Sequence, residues 1–280
     1  MAIDKVVDSS ALDASLTAVA DAIREKTGKT ATMTLSEMPT EIEGISGGGD
    51  TSVEDSLVTR AEMGYTNNRV TKVGSYAFYN YSLLTSANFP LVTSIGDYAF
   101  YRCSSLTSAD FPQATSIGGY AFYRCSSLTS ADFPNVTRLG YQAFDSCYKL
   151  TTADFPLATS IVGGAFYGCY ELTTADFPLA TSIADGAFNG CSKLTTADFP
   201  LVTSIANGAF YGCSKLTAIV LRATSTVCSL SSTNAFSSTP IESGTGYIYV
   251  PDALVDSYKA ATNWSTYAAQ IKPLSEYTEA

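Results

Sequence analysis

Histidine is absent from all 280 residues. That removes His-based triads, imidazole general bases and imidazole metal ligands together. Charge is scarce too, at 15% of residues where about a quarter is usual. The balance is acidic, with 16 Lys and Arg against 26 Asp and Glu and a net charge of −10. Such a chain is repelled by phosphate backbones, so nucleic-acid binding is not expected. A run of about eighteen apolar residues is missing, as is a polybasic patch, so no membrane insertion is expected. The opening stretch carries Asp4, Asp8, Asp13 and Asp21. It lacks the basic start and unbroken apolar run of a secretory signal, and the last residues carry no hydrophobic tail. The expectation is a chain without its own export signal or wall anchor.

What is present is a repeat. Ala-Phe recurs with the Phe at 78, 100, 122, 144, 166, 188 and 210, a constant step of 22 residues. Leu84, Leu106, Leu128, Leu150, Leu172, Leu194 and Leu216 follow it at a fixed offset. Cys103, Cys125, Cys147, Cys169, Cys191 and Cys213 keep another, with Tyr81 in the first copy. The best-kept stretch reads Leu-Thr-Thr-Ala-Asp-Phe-Pro at 172–178 and again at 194–200. A short strand there puts Ala175 and Phe177 on one face, and Pro178, with no N–H, ends it. A turn leads to Ile183 and then to Ala187-Phe188, expected on a short helical or 3-10 segment. One such coil cannot bury its own apolar face, so copies stack and share a core. An insertion inside a coil is expected to break the register.

The fold class expected is therefore an α/β repeat solenoid with short parallel strands and short helical or 3-10 turns. A small helical N-terminal segment precedes it. Leu12, Leu16, Val19 and Ile23 form an amphipathic stripe in residues 1–46, read as an attachment or oligomerisation segment. Gly47, Gly48 and Gly49 mark a linker at 47–50. The array spans 51–240, beginning with a degenerate coil and ending on a stray Ala235-Phe236 pair. Residues 241–280 form a C-terminal cap: a last strand through Val250, a helix capped by Asp252, and Trp264, Tyr267 and Ile271 over the open coil.

Three columns of side chains are candidates for chemistry. Asp110, Asp132, Asp154, Asp176 and Asp198 alternate outward from the strand, onto a concave face. Neighbouring carboxylates at about 4.8 Å repel by roughly 1 kcal/mol in water. The column serves solubility, or it is a polar or cation-binding groove for ligands such as Ca²⁺. Tyrosines form the second group. Tyr79, Tyr101, Tyr123, Tyr167 and Tyr211 follow the Phe, and Tyr76, Tyr98 and Tyr120 precede it by two. They pack between coils, or they bind sugar rings or a protein, with Tyr76, Tyr98, Tyr101, Tyr120 and Tyr123 as the ligand-binding edge. Later copies carry Gly164, Gly186 and Gly208 instead. The cysteines, third, read as buried reduced thiols, because a linear column cannot set four thiolates around one zinc. No catalytic residue, resident metal site or cofactor is predicted. The regular spacing of the carboxylates argues against a glycosidase pair.

The copies resemble the BspA-like family of bacterial leucine-rich repeats. The resemblance rests on Leu-Thr-Ser-Ala-Asp-Phe-Pro at 106–112, Ile117-Gly118, Ala121-Phe122 and Cys125, recurring over about residues 55–240. The stretch from Tyr247 through Val250-Pro251 to Trp264 and Ile271 is similar to the tail that closes such arrays. Met1 to Asp8 and Leu16 to Ile23 resemble the opening of tail-associated proteins in phages of gut Firmicutes. Together these imply a non-enzymatic protein of a virion tail, assembled in the host cytoplasm. Residues 1–46 would join it to other tail proteins or to further copies of itself as a homo-oligomer, and the array would meet a host cell-surface protein or glycan. The BspA resemblance alone implies the alternative, a bacterial cell-surface adhesin.

Overall fold

A computed structural model describes residues 65–66, 70–223 and 225–278. The segment at 1–46, with Leu12, Leu16, Val19 and Ile23, and the linker at 47–50 lie outside the described residues. The described residues form a stack of parallel coils. Each regular coil contributes one strand of the Ser/Thr-Ala-Asp type, such as Ser130–Asp132, Thr152–Asp154 and Thr174–Asp176. A second, shorter strand carries Ser-Ile, as in Ser94–Ile95 and Ser116–Ile117. Equivalent residues pair in register: Ala131 with Ala153, and Ala153 with Ala175. Period-two alternation decides the faces. Ala131 and Ala153 are buried while Asp132 and Asp154 are exposed.

The interior is built from two rows of phenylalanine. Phe78, Phe100, Phe122 and Phe144 stack face to face with centroids 4.9–5.1 Å apart. Phe89, Phe111, Phe133, Phe155 and Phe177 form the second row and meet the first obliquely or edge-on. Phe100, Phe122 and Phe144 are fully buried. Each such side chain contributes roughly 1.5–3 kcal/mol by leaving water. The cysteines lie beside this row, and all seven are free and buried. They do more than fill space, because each thiol of the column also donates a hydrogen bond along the stack. Cys103 Sγ reaches the carbonyl of Phe78 at 3.1 Å, and Cys125 that of Phe100 at 3.1 Å. Exposed threonines add a similar ladder, with Thr107 Oγ1 donating to the carbonyl of Thr85 at 2.9 Å.

The Ala-Phe segment is not helical, contrary to the expectation. It is a chain of tight turns in which alternate N–H groups point in different directions. Ala77, Tyr79 and Tyr81 donate back within the coil, to Gly74, Tyr76 and Phe78. Tyr76, Phe78 and Asn80 donate along the axis, to Asp97, Ala99 and Tyr101 of the next coil. A continuous helix would turn every donor inward and leave the coils unlinked on this side. The alternation instead gives every one of these donors a partner. It requires positive φ at two places per coil, 63° at Tyr76 and 59° at Asn80 in the first.

Coil spacing on this side is set by small residues. A Cβ on Gly118 would lie 2.5 Å from the nitrogen of Asp97 and 2.6 Å from the carbonyl carbon of Gly96. One on Gly140 would lie 2.2 Å from the carbonyl carbon of Gly118. Later coils have Val162, Ala184 and Ala206 at this place. Their Phe rings stand farther apart, 5.6 Å for Phe144–Phe166 and 5.4 Å for Phe188–Phe210.

Two expectations about the far end are corrected. Extra residues before Phe236 do not break the register: Ile205 pairs with Leu230, 25 residues on. Phe236 still stacks on Phe210 at 5.8 Å. The additional chain loops out between strands, where no ladder runs. Asp252 does not cap the following helix, Val255–Ala260; its Oδ1 accepts the N–H of Ser275 at 3.0 Å. Aromatic residues lie over the last Phe at this end. Trp264 and Tyr267 cover Phe236, with centroids at 5.9 and 5.5 Å. Trp264 Nε1 donates to the carbonyl of Cys228 at 2.6 Å, and the N–H of Cys228 donates to Tyr258 Oη at 2.9 Å.

Candidate functional site

The first turn segments place six tyrosines in a grid. Tyr76, Tyr98 and Tyr120 stack in one column, with centroids 4.9 Å apart at each step. Tyr79, Tyr101 and Tyr123 stack in a second, again at 4.9 Å. The columns touch obliquely, Tyr76 to Tyr79 and Tyr98 to Tyr101 both at 5.6 Å. The grid ends sharply. Tyr141 meets Tyr120 edge-on at 5.6 Å, and Asp145 takes the place of the next tyrosine in the second column. Asp145 is 4% exposed and accepts hydrogen bonds from Gln142 Nε2 and Ser146 Oγ, both at 2.7 Å. Burial pushes its carboxyl up, against those two bonds and the Arg124 charge.

Two arginines flank the grid, and residue-by-residue reasoning from the sequence missed them. Arg102 and Arg124 are exposed, with guanidinium carbons 5.3 and 5.4 Å from the Tyr101 and Tyr123 ring centres. Neither forms a salt bridge among the described residues. Their backbone carries the unusual signal. Tyr98, Arg102, Tyr120 and Arg124 have φ of 58°, 58°, 56° and 57°. For a residue with a Cβ this left-handed conformation costs roughly 1–2 kcal/mol. The equivalent places in later coils hold Gly164, Gly168, Gly186, Gly190, Gly208 and Gly212, all at positive φ. The fold therefore asks for glycine at these positions. The first four coils instead carry Tyr76 and Asn80, Tyr98 and Arg102, Tyr120 and Arg124, and Gln142 and Ser146 there. A glycine in some copies of a repeat position was the available sequence clue.

The phenol oxygens of the six tyrosines have no hydrogen-bond partner among the described residues. Burial, then the neighbouring Tyr76 and Tyr101, push the Tyr98 phenol up, and burial followed by Tyr141 and Tyr98 does the same to Tyr120. The Tyr98 and Tyr120 hydroxyls therefore stay protonated donors at neutral pH.

The aspartate column is a different kind of surface. Asp110, Asp132, Asp154 and Asp176 are exposed, and Asp132, Asp154 and Asp176 are cross-strand neighbours. Burial raises the Asp154 carboxyl most, followed by the charges of Asp132 and Asp176. Asp198 is already occupied: Arg222 Nη2 donates to it at 2.6 Å and Nε at 3.0 Å. Among the described residues no group of three or more acidic or thiol side chains is placed to hold a metal ion. The candidate attachment residues Leu12, Leu16, Val19 and Ile23 lie outside the described residues.

A parallel solenoid with leucine-rich-type coils, a closed aromatic interior and a side-chain grid on its turns defines a repeat scaffold. Comparison with known proteins specifies it. The family model described as the BspA type leucine rich repeat region matches residues 63–173 and 139–250, in six copies. The chain belongs to the BspA-type leucine-rich repeat family. A leucine rich cell surface protein from Faecalibacterium prausnitzii A2-165 has a similar structure, with 33% identity and a TM-score of 0.54. The match covers 60% of this chain and 49% of that one, so the chain spans about half the length of that protein. The leucine rich repeat protein TpLRR of T. pallidum matches at 30% identity and a TM-score of 0.52, over 55% of this chain and 78% of that one. No curated protein matches the chain.

Proposed function

We propose that the chain is a non-catalytic adhesin of the bacterial cell surface and that its tyrosine–arginine edge contacts the ligand. The observation that carries this reading is strain. Tyr76, Tyr98, Arg102, Tyr120 and Arg124 adopt positive φ where the same fold elsewhere uses glycine. Backbone strain of about 1–3 kcal/mol per residue persists where a side chain has work to do. Tyr and Arg are also the residues that dominate binding hot spots. The similar F. prausnitzii protein is named as a cell surface protein, which supports the location. The second reading, a virion tail protein, rests on the sequence of residues 1–46 and would use the same edge toward a host.

The test uses the full chain. Tyr76→Gly, Tyr98→Gly and Tyr120→Gly together copy what later coils carry, so the fold is retained. Wild-type protein should bind host cells and the triple variant should not. Equal binding by both refutes the edge as contact surface. Immunogold labelling separates the two settings: label on uninduced bacteria supports the adhesin, and label confined to virions supports the tail protein.

A further inference from the structure

We propose that the ligand of the tyrosine–arginine edge is a linear acidic glycan, a polysaccharide with carboxylate or sulfate groups on successive units, lying along the solenoid axis. The inference rests on the edge being the binding surface and names what it takes. Three observations point to it.

The first is orientation. Tyrosines that bind neutral sugars do so with a free ring face. Here the faces of Tyr76, Tyr98 and Tyr120 lie against one another, with interplanar angles of 5° and 10°. Those of Tyr79, Tyr101 and Tyr123 do the same, at 4° and 7°. Ring edges and phenol hydroxyls are what remain outward. Edges carry the positive end of the aromatic quadrupole and hydroxyls donate, so the grid prefers oxygen acceptors and negative charge.

The second is charge. The whole chain is acidic, but this edge is not. Two carboxylates lie beside it: Asp97 is exposed, with its Oδ1 accepting the N–H of Gly119 at 2.6 Å, and Asp145 is buried among Gln142 and Ser146. The exposed charges are the Asp97 carboxylate and the guanidiniums of Arg102 and Arg124, so cations outnumber anions. Arg matches a carboxylate or sulfate with two parallel hydrogen bonds, which Lys cannot. The acidic column sits on the strands rather than the turns, and charge beyond about 8 Å is largely screened at physiological salt.

The third is repetition. The tyrosine donors recur in three successive coils with the 4.9 Å step of the stack, and the arginines in two of them. That step is close to the advance of one sugar unit in an extended 1,4-linked chain. A repeating polymer gains a contact with each coil it crosses, as tethered sites do. A globular partner has no such translation along a line.

Isothermal titration of the full chain should use oligogalacturonates of increasing length, a sulfated oligosaccharide, and a neutral 1,4-linked glucan of matched length. The acidic ligands should bind, more tightly with length until the three coils are covered, and added salt should weaken them. Arg102→Gly with Arg124→Gly should lower affinity by about tenfold or more. Its fold should be unchanged, because Gly168, Gly190 and Gly212 occupy that place in later coils. Tyr98→Phe keeps the stack and should cost a few-fold. Binding of the neutral glucan as tight as the acidic ones overturns the inference, and so does unchanged affinity in the double variant. If no acidic glycan binds while host-cell binding still needs the edge, the ligand is a protein: the inference fails and the adhesin reading stands. If cell binding ignores the edge, both fall.

Discussion

Replacing Gly118 by Ala should pry apart the coils that carry the tyrosine grid. The added methyl would sit 2.5 Å from the Asp97 nitrogen and 2.6 Å from the Gly96 carbonyl carbon. Carbon contacts are comfortable at about 3.5–4.0 Å, so the backbones must separate by roughly 1 Å. Both obstructing atoms belong to the main chain, which has no rotamer to yield. Three axial hydrogen bonds lie close by: Gly118 to Ile95 at 2.8 Å, Tyr98 to Gly119 at 2.9 Å and Phe100 to Ala121 at 2.7 Å. Overpacking costs about 1–3 kcal/mol and each stretched hydrogen bond up to about 1 kcal/mol. The loss of unfolded-chain entropy returns about 0.4–1 kcal/mol. The net expectation is a loss of about 2–4 kcal/mol. Urea unfolding followed by far-UV circular dichroism reads it as a lower midpoint. Near-UV ellipticity should fall as well, because Tyr98 and Tyr120 no longer stack. The control is Ala184→Gly, at the same repeat position in a looser coil, which should cost only about 0.5–1 kcal/mol. A Gly118→Ala protein as stable as wild type, with its tyrosine signal intact, would refute the close-approach argument.

Three further outcomes are expected. Phe144→Ala removes a buried ring stacked between Phe122 and Phe166, 5.1 and 5.6 Å away, and should cost about 3–5 kcal/mol in the same urea assay. The thiols should be silent in the native state. Burial pushes Cys103 and Cys228 up to about 12 and raises Cys125, Cys147, Cys169 and Cys191 well above the ordinary thiol value, and all seven are buried, so a thiol-reactive dye should count 7 cysteines only after denaturation; prompt labelling of native protein speaks against the packed column. Asp145 gives a pH signature. Its folded carboxyl is raised above 3.8, so the folded state holds the proton more tightly than the unfolded one. Its contribution to stability therefore declines as pH rises through that folded value. Asp145→Asn removes this decline, and the advantage of the variant should grow with pH above 3.8 and vanish below it. A pH-independent difference contradicts the assignment.

The stack was legible in the sequence because one translation repeats at every level. A constant 22-residue step places Ala131 on Ala153, Phe122 on Phe144 and Cys125 beside Phe100, and no alternative register buries all three. The inward and outward alternation of Thr152, Ala153 and Asp154 follows from the strand period alone. The turn segment was misread as helical. Propensity says nothing of where an N–H must point, and here alternate donors are claimed by the next coil.

Binding candidates divided along the same line. One-residue-per-coil columns of Asp and Tyr followed from arithmetic on the chain. Their chemistry did not. Asp198 is neutralised by Arg222, which is 24 residues away and on no shared repeat position. The tyrosine faces are hidden because the coils approach to 4.9 Å, and Gly96, Gly118 and Gly140 permit that approach. Arg102 and Arg124 became visible only through their φ angles. Order along the axis is a property of the amino-acid sequence, since any periodic chain must stack periodically. What each side chain offers to solvent is a property of the packed coils, since it depends on distances between residues that the chain itself keeps 22 positions apart.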